Sequence, residues 1–135
     1  MIKSPTWIIH AVFADEDEIN NVGTYFGNIH THGLGTYNHS ELCIPIWIAK
    51  ELSGTLLNQM GMNIANNNRT YDPGIIVGEL QGGYDLKGIR FANDPTLYVL
   101  LPDPNNKFYD DSDCDPEYAK QYDYAKHISE TKGYV

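Results

Sequence analysis

The feature that most constrains the fold is a single helical stripe in a chain otherwise rich in short β-type runs. From Trp47 to about Ile64 the apolar residues follow the i, i+4, i+8 spacing of one helix face. Gly54 weakens this pattern, and turn-forming residues at 66–74 end it. The stripe consists of Trp47, Ile48, Leu52, Leu56, Leu57, Met60 and Ile64. A helix of this length can cover one face of a small sheet.

Six runs of β-branched, aromatic and aliphatic residues predict the strands of that sheet. Gly88, inside the fifth run, suggests a β-bulge, and the glycine-rich turn at 81–83 makes the fourth and fifth runs a hairpin. Asp115 and Pro116 are typical of an N-cap and a first helical position, which predicts a helical tail. The six runs are residues 6–13, 24–32, 41–46, 75–80, 84–92 and 96–102.

The order of these elements predicts an α+β fold in one domain that spans residues 1–135. A largely antiparallel or mixed sheet should be covered on one face by the long helix. A short helical C-terminal tail follows, and its residues from about 122 onward are expected to be peripheral.

The charge balance limits the classes of partner. A net charge of −9, with nine scattered Lys and Arg residues, disfavours nucleic acid and anionic membrane surfaces. A membrane span needs about 20 consecutive apolar residues. The sequence has no such run, so no membrane span is predicted. A small molecule, a cation or a basic protein remains open, and the oligomeric state is not fixed. Cys43 and Cys114 lie far apart, so free thiols in a reducing cytoplasm are expected.

The stretch "NIHTHGLGTYNHSELCI" contains three of the five histidines and one of the two cysteines. His30 and His32 alternate along a strand and should share a face. If the next segment is extended, His39, Glu41 and Cys43 share a face as well. Imidazole, thiolate and carboxylate are zinc ligands. The candidate ligands for zinc or another divalent metal are His30, His32, His39, Glu41 and Cys114.

Three interpretations of this cluster remain open. In the first, His30 is a partly buried polar residue bonded to a carbonyl, and His39 positions a loop. In the second, a metal is bound, and a metal-bound water hydrolyses a small molecule. In the third, the cluster binds a ligand or catalyses without a metal. No catalytic residue is assigned, because Cys43 lies in an apolar run unsuited to a reactive thiol. His10 is expected to be a core histidine, and His127 a solvated one.

The alternative function is an acidic interaction or inhibitor module without catalytic activity. It rests on the net charge of −9 and on the tyrosines of the tail. Cys114 and Asp115 also have two interpretations: they return to the histidine cluster, or Cys114 is a small buried residue and Asp115 only a helix cap. The local Asp-Pro-Glu order favours the cap.

Several blocks occur in one order along the chain: "HAVF" at 10–13, "HTHGL" at 30–34, "NHSEL" at 38–42, "GGY" at 82–84, "LPDPNNK" at 101–107 and "CDPEYAKQ" at 114–121. Together they resemble a bacterial and phage-associated family, domain of unknown function 4262, over about Trp7 to Gln121. The resemblance implies a single α+β domain whose polar blocks are family features, and it implies no activity. Where that family commonly has His-Pro, this chain has His39-Ser40.

Overall fold

A computed structural model describes residues 7–13, 27–45, 50–76, 83 and 85–131 and confirms the α+β class. Six strands form one sheet. In chain order the strands are β1 Ile8–Phe13, β2 Gly27–His32, β3 Leu42–Ile44, β4 Gly74–Ile76, β5 Leu86–Ile89 and β6 Leu97–Leu100. The helices are a short 3-10 helix at Leu34–Tyr37, α1 at Lys50–Asn67, α2 at Pro116–Ala119 and α3 at Gln121–Thr131.

The sheet is mixed, with strand order β1-β2-β3-β6-β5-β4. Four of its five strand pairings are antiparallel, and the central pairing of β3 with β6 is parallel. The parallel pair joins the strands before α1 to the strands after it, with Cys43 opposite Tyr98. The predicted hairpin is confirmed as the β4–β5 pair, although most of its turn lies outside the described residues.

Helix α1 covers one face of the sheet, as its apolar stripe predicts. Leu56, Leu57, Met60 and Ile64 are all buried against residues of the strands. Leu52 is only partly buried, and the first two residues of the predicted stripe lie outside the described ranges. The strand residues in this core include Ile29, Leu42, Ile44, Leu86, Leu97 and Val99.

Helix α3 covers the opposite face, so the tail is a second helical layer rather than a peripheral segment. Tyr124, Ala125 and Ile128 are buried in a second core with Cys43 and Tyr98. These strand residues alternate with those that face α1. Helix α3 is polar on average, so its sequence did not indicate this second layer.

Two side chains fix the path from β6 into the tail. The Asp115 carboxylate accepts a hydrogen bond of 2.9 Å from the Glu117 N–H, which confirms the predicted N-cap ahead of Pro116. The Gln121 amide bonds both the N–H and the carbonyl of Leu101, each at 2.8 Å. Gln121 therefore ties the start of α3 to the end of β6.

The bulge predicted at Gly88 is wrong. Gly88 pairs in unbroken register with Gly74 on one side and Val99 on the other. A Cβ atom at this position would lie 3.0 Å from the Asp72 carbonyl oxygen and 3.2 Å from Leu97 Cδ1. The glycine thus permits close approach of the chain that precedes β4.

None of the helices in the described ranges is both long and apolar enough to cross a membrane.

Candidate functional site

His30 and His32 lie on one face of β2, as predicted, and their rings are in contact. The two Nε2 atoms are 3.1 Å apart, and the ring planes meet at 81° with centroids 4.8 Å apart. His30 is fully buried and His32 partly exposed. Since a hydrogen bond needs one donor and one acceptor, one Nε2 carries a proton and the other does not.

Glu41 stabilises the turn that follows β2. Its carboxylate accepts hydrogen bonds from the Thr31 hydroxyl at 2.8 Å and from the N–H groups of Gly33 and Leu34, each at 3.2 Å. These bonds hold the turn from β2 into the 3-10 helix. Thr31 alternates with His30 and His32 along β2, so Glu41 binds on the other side of the strand.

His39 does not join the pair, because the chain turns before it. Gly33, with φ 109°, begins the 3-10 helix, and Asn38, with φ 60°, ends it. Strand β3 starts only at Leu42, so the predicted extended segment over 39–43 is wrong at its first residues. The spacing rule that placed His39 beside Glu41 and Cys43 applies only within a strand.

The hydrogen bonds of His39 define its tautomer. Nδ1 donates to the Ser40 carbonyl at 2.8 Å, and Nε2 accepts from the Tyr71 N–H at 3.0 Å. Both nitrogens are engaged, and the ring is neutral with its proton on Nδ1. This arrangement agrees with the interpretation that His39 positions a loop.

Cys114 lies away from the histidine pair. Its thiol is 3.5 Å from the carbonyl oxygens of Lys107 and Asp115. Burial and then the nearby carboxylates, Asp103 first, raise the pKa of this thiol above its ordinary value of 9.0. Across the described residues, no group of three or more His, Cys, Asp and Glu side chains is placed to hold a metal. Of the five predicted ligands, only His30 and His32 come together.

Cys43 is buried beneath α3, in the second core with Tyr124 and Ile128. Burial, followed by the charge of Asp94, raises the pKa of its thiol well above the ordinary value of 9.0. Asp94 itself is buried and accepts hydrogen bonds of 2.7 Å from the hydroxyls of Tyr98 and Ser129. These bonds connect α3 to the loop before β6.

A cavity of about 290 Å³ opens beside His39. It lies between the loop that precedes β3, the segment between α1 and β4, and the end of β5. Arg90 is exposed on its wall and is held by two hydrogen bonds. Its Nε donates to the Pro95 carbonyl at 3.2 Å and its Nη2 to the Ser40 hydroxyl at 3.4 Å. The lining includes His39, Ser40, Tyr71, Asp72, Arg90 and Pro95.

One of the chain's two arginines lines this cavity, and the other lies over the ring of a lining residue. Arg90 lines it, and the Arg69 guanidinium lies 4.3 Å from the ring centroid of Tyr71, another lining residue. Within the part of the chain that the structure describes, Arg90 has no carboxylate partner. Asp72 is the one acidic residue of the lining. Sequence reasoning missed Arg90, because no spacing rule joins it to His39, which lies 51 residues earlier.

No family model, no curated protein and no solved structure matches this chain. The resemblance to domain of unknown function 4262 therefore stays a prediction.

Proposed function

We propose that the protein binds a small molecule that carries a carboxylate or phosphate group, and that the site is the cavity beside His39. The observation that supports this proposal best is an exposed Arg90 guanidinium on the cavity wall without a carboxylate partner in the described chain. In a chain with twice as many acidic residues as basic ones, 18 against nine, such a cation has an abundance of alternative partners. Arginine is suited to carboxylates and phosphates because its planar donors bind both oxygens at once.

The guanidinium is already oriented for this role. Of about five N–H donors in the group, two are used by Pro95 and Ser40. The remaining three are available to an oxyanion. Fixing a long side chain before the ligand arrives lowers the entropic cost of binding.

His39 supports the site without taking part in proton transfer. Its two nitrogens hold the Ser40 carbonyl and the Tyr71 N–H, and both residues line the cavity. A general base needs a free lone pair, and this ring has none. We therefore propose that this cavity binds a ligand and does not catalyse a reaction through His39.

The volume and charge of the cavity limit the ligand. About 290 Å³ is at the small end of ligand sites in proteins. Asp72 opposes a simple anion and favours a ligand that also carries a hydroxyl or ammonium group. We expect modest affinity for inorganic phosphate or succinate, the simplest probes of this chemistry.

The test is an NMR titration of the ¹⁵N-labelled chain with inorganic phosphate and with succinate at constant ionic strength. We expect saturable shifts at the amides of Ser40, Tyr71 and Arg90. Arg90→Gln should abolish them, and Asp72→Asn should strengthen binding severalfold by removing a like charge. Lys120→Gln, at an exposed lysine paired with Glu117, is the matched control and should change nothing. Equal shifts in wild type and Arg90→Gln, or no saturable shift with either probe, would overturn the proposal.

We place this activity in a reducing compartment, the cytoplasm, because both cysteines are free and buried. The alternative, an acidic module for a basic partner, is supported by the net charge of −9, which serves solubility equally well.

A further inference from the structure

Two residues of opposite charge line the cavity beside His39, and they are not paired with each other. Arg90 and Asp72 are both exposed lining residues. Among the described residues, the ion pairs join other side chains and leave these two out. Opposite charges that share a small cavity without forming an ion pair leave two places for the charges of a ligand.

The backbone around Asp72 is held in place next to the strand that leads to Arg90. The N–H of the preceding residue, Tyr71, donates to His39 at 3.0 Å. The Asp72 carbonyl oxygen lies 3.0 Å from the position that a Cβ atom of Gly88 would occupy. Gly88 comes two residues before Arg90, and two residues of chain span at most about 7 Å. The two charged side chains therefore start from neighbouring stretches of main chain.

Both side chains have hydrogen-bonding capacity left for a ligand. Arg90 is bonded to Pro95 and Ser40, and three of its donors stay available to an oxyanion. Asp72 offers a carboxylate that takes part in no hydrogen bond or ion pair within the part of the chain that the structure describes. An ammonium group supplies three donors to such a carboxylate. The cavity thus combines a site for an anionic group with a site for a cationic one.

We infer that the ligand of this cavity is a free amino acid bound as a zwitterion, an inference that rests on the proposed oxyanion site. The carboxylate of the ligand binds the Arg90 donors, and its ammonium group donates to the Asp72 carboxylate. A phosphate or a dicarboxylate would instead bring more negative charge towards Asp72. The volume of about 290 Å³ suits a single amino acid. Asn38 and Thr70, two exposed polar residues of the lining, favour a small or polar side chain on it.

The test compares three small probes in NMR titrations of the ¹⁵N-labelled full chain at neutral pH and constant ionic strength. Acetate carries the carboxylate alone, whereas glycine and β-alanine add an ammonium group at two distances from it. We expect at least one of the two amino acids to bind about two- to fivefold more tightly than acetate, because an exposed ion pair contributes about that much.

Three variants show which residue recognises each charge, and circular dichroism confirms that each is folded. Asp72→Asn should strengthen acetate binding and remove the preference for the amino acid, because it replaces the carboxylate that pairs with the ammonium group. Arg90→Gln should abolish the binding of all three probes. Asp113→Asn, at an exposed carboxylate outside the cavity lining, is the matched control and should keep the wild-type preference.

The outcomes separate this inference from the proposed function. If acetate binds through Arg90 as tightly as both amino acids do, the zwitterion is wrong and the oxyanion site stands. A preference for the amino acid that persists in Asp72→Asn would also overturn the inference, because Asp72 would not be what recognises the ammonium group. If none of the three probes and no inorganic phosphate gives a saturable shift, both proposals fail.

Discussion

The Nε2 atom of His39 accepts a 3.0 Å hydrogen bond from the backbone N–H of Tyr71, 32 residues later in the chain. This bond fastens the loop before β3 to the segment between α1 and β4. Residues of both segments line the proposed ligand cavity. The His39 ring thus joins these two segments through its hydrogen bonds, and the shape of the cavity depends on it.

Replacing His39 by Phe should destabilise the chain by about 1–3 kcal/mol, because the Tyr71 N–H is left without its acceptor. The free energy of unfolding in urea measures this loss. The same variant should also weaken phosphate binding, because Ser40 and Tyr71 lose their common support. A free energy of unfolding within about 0.5 kcal/mol of the wild-type value would show that this hydrogen bond contributes little to stability.

Glu41→Ala should destabilise the chain by about 2–4 kcal/mol, since the Thr31 hydroxyl and two N–H groups lose a charged acceptor. Glu117→Ala is the matched control: Glu117 is exposed, and its ion pair with Lys120 should contribute less than about 0.5 kcal/mol. Urea denaturation of both variants measures the difference. Equal effects would show that Glu41 does not hold the turn after β2 through these hydrogen bonds.

The sequence predicted the helices and strands better than it predicted which of them pair or pack together. Local patterns were sufficient for β1, β6, the stripe on α1 and the cap at Asp115, because each depends on a few neighbouring residues. The parallel pairing of β3 with β6 joins residues far apart in sequence, and no local pattern encodes it. The second helical layer was missed because α3 is polar on average and carries few apolar residues.

Residues of the candidate site were likewise predicted correctly only where their position depends on a local pattern. The shared face of His30 and His32 follows from strand alternation, and it is confirmed. The position of His39 depends on left-handed backbone at Gly33 and Asn38, and this backbone turns the chain out of register. Arg90 reaches the cavity through tertiary contacts alone, so only the folded chain shows it.

Two glycines of α1 should respond in opposite directions to the same substitution. At Gly54 a Cβ atom would meet nothing within 4 Å, so Gly54→Ala should stabilise the chain by about 0.5–1 kcal/mol through helix propensity. At Gly61 it would lie 2.6 Å from Trp7 Cε2, so Gly61→Ala should destabilise by about 1–3 kcal/mol through overpacking. Thermal unfolding of the pair is the measurement. A stabilising Gly61→Ala would mean that Trp7 does not pack on α1 as described.

Asp103 should make the stability of the chain sensitive to acid. Its carboxylate accepts backbone hydrogen bonds from Asp115, Lys107 and Asn105, each of 2.8–2.9 Å. These bonds, led by the one from Asp115, lower the pKa of this carboxyl below its ordinary value of 3.8. The unfolded chain therefore takes up a proton at a higher pH than the folded chain does.

The stabilisation from Asp103 is complete above the unfolded pKa and is lost as the pH falls through the lower, folded pKa. We expect the urea midpoint to fall between about pH 5 and pH 3, and to fall less steeply in Asp103→Asn, which is also less stable at neutral pH. Asp113→Asn removes an exposed carboxylate and should keep the wild-type slope. Identical slopes in wild type and Asp103→Asn would show that the charge of Asp103 is not what these N–H groups stabilise.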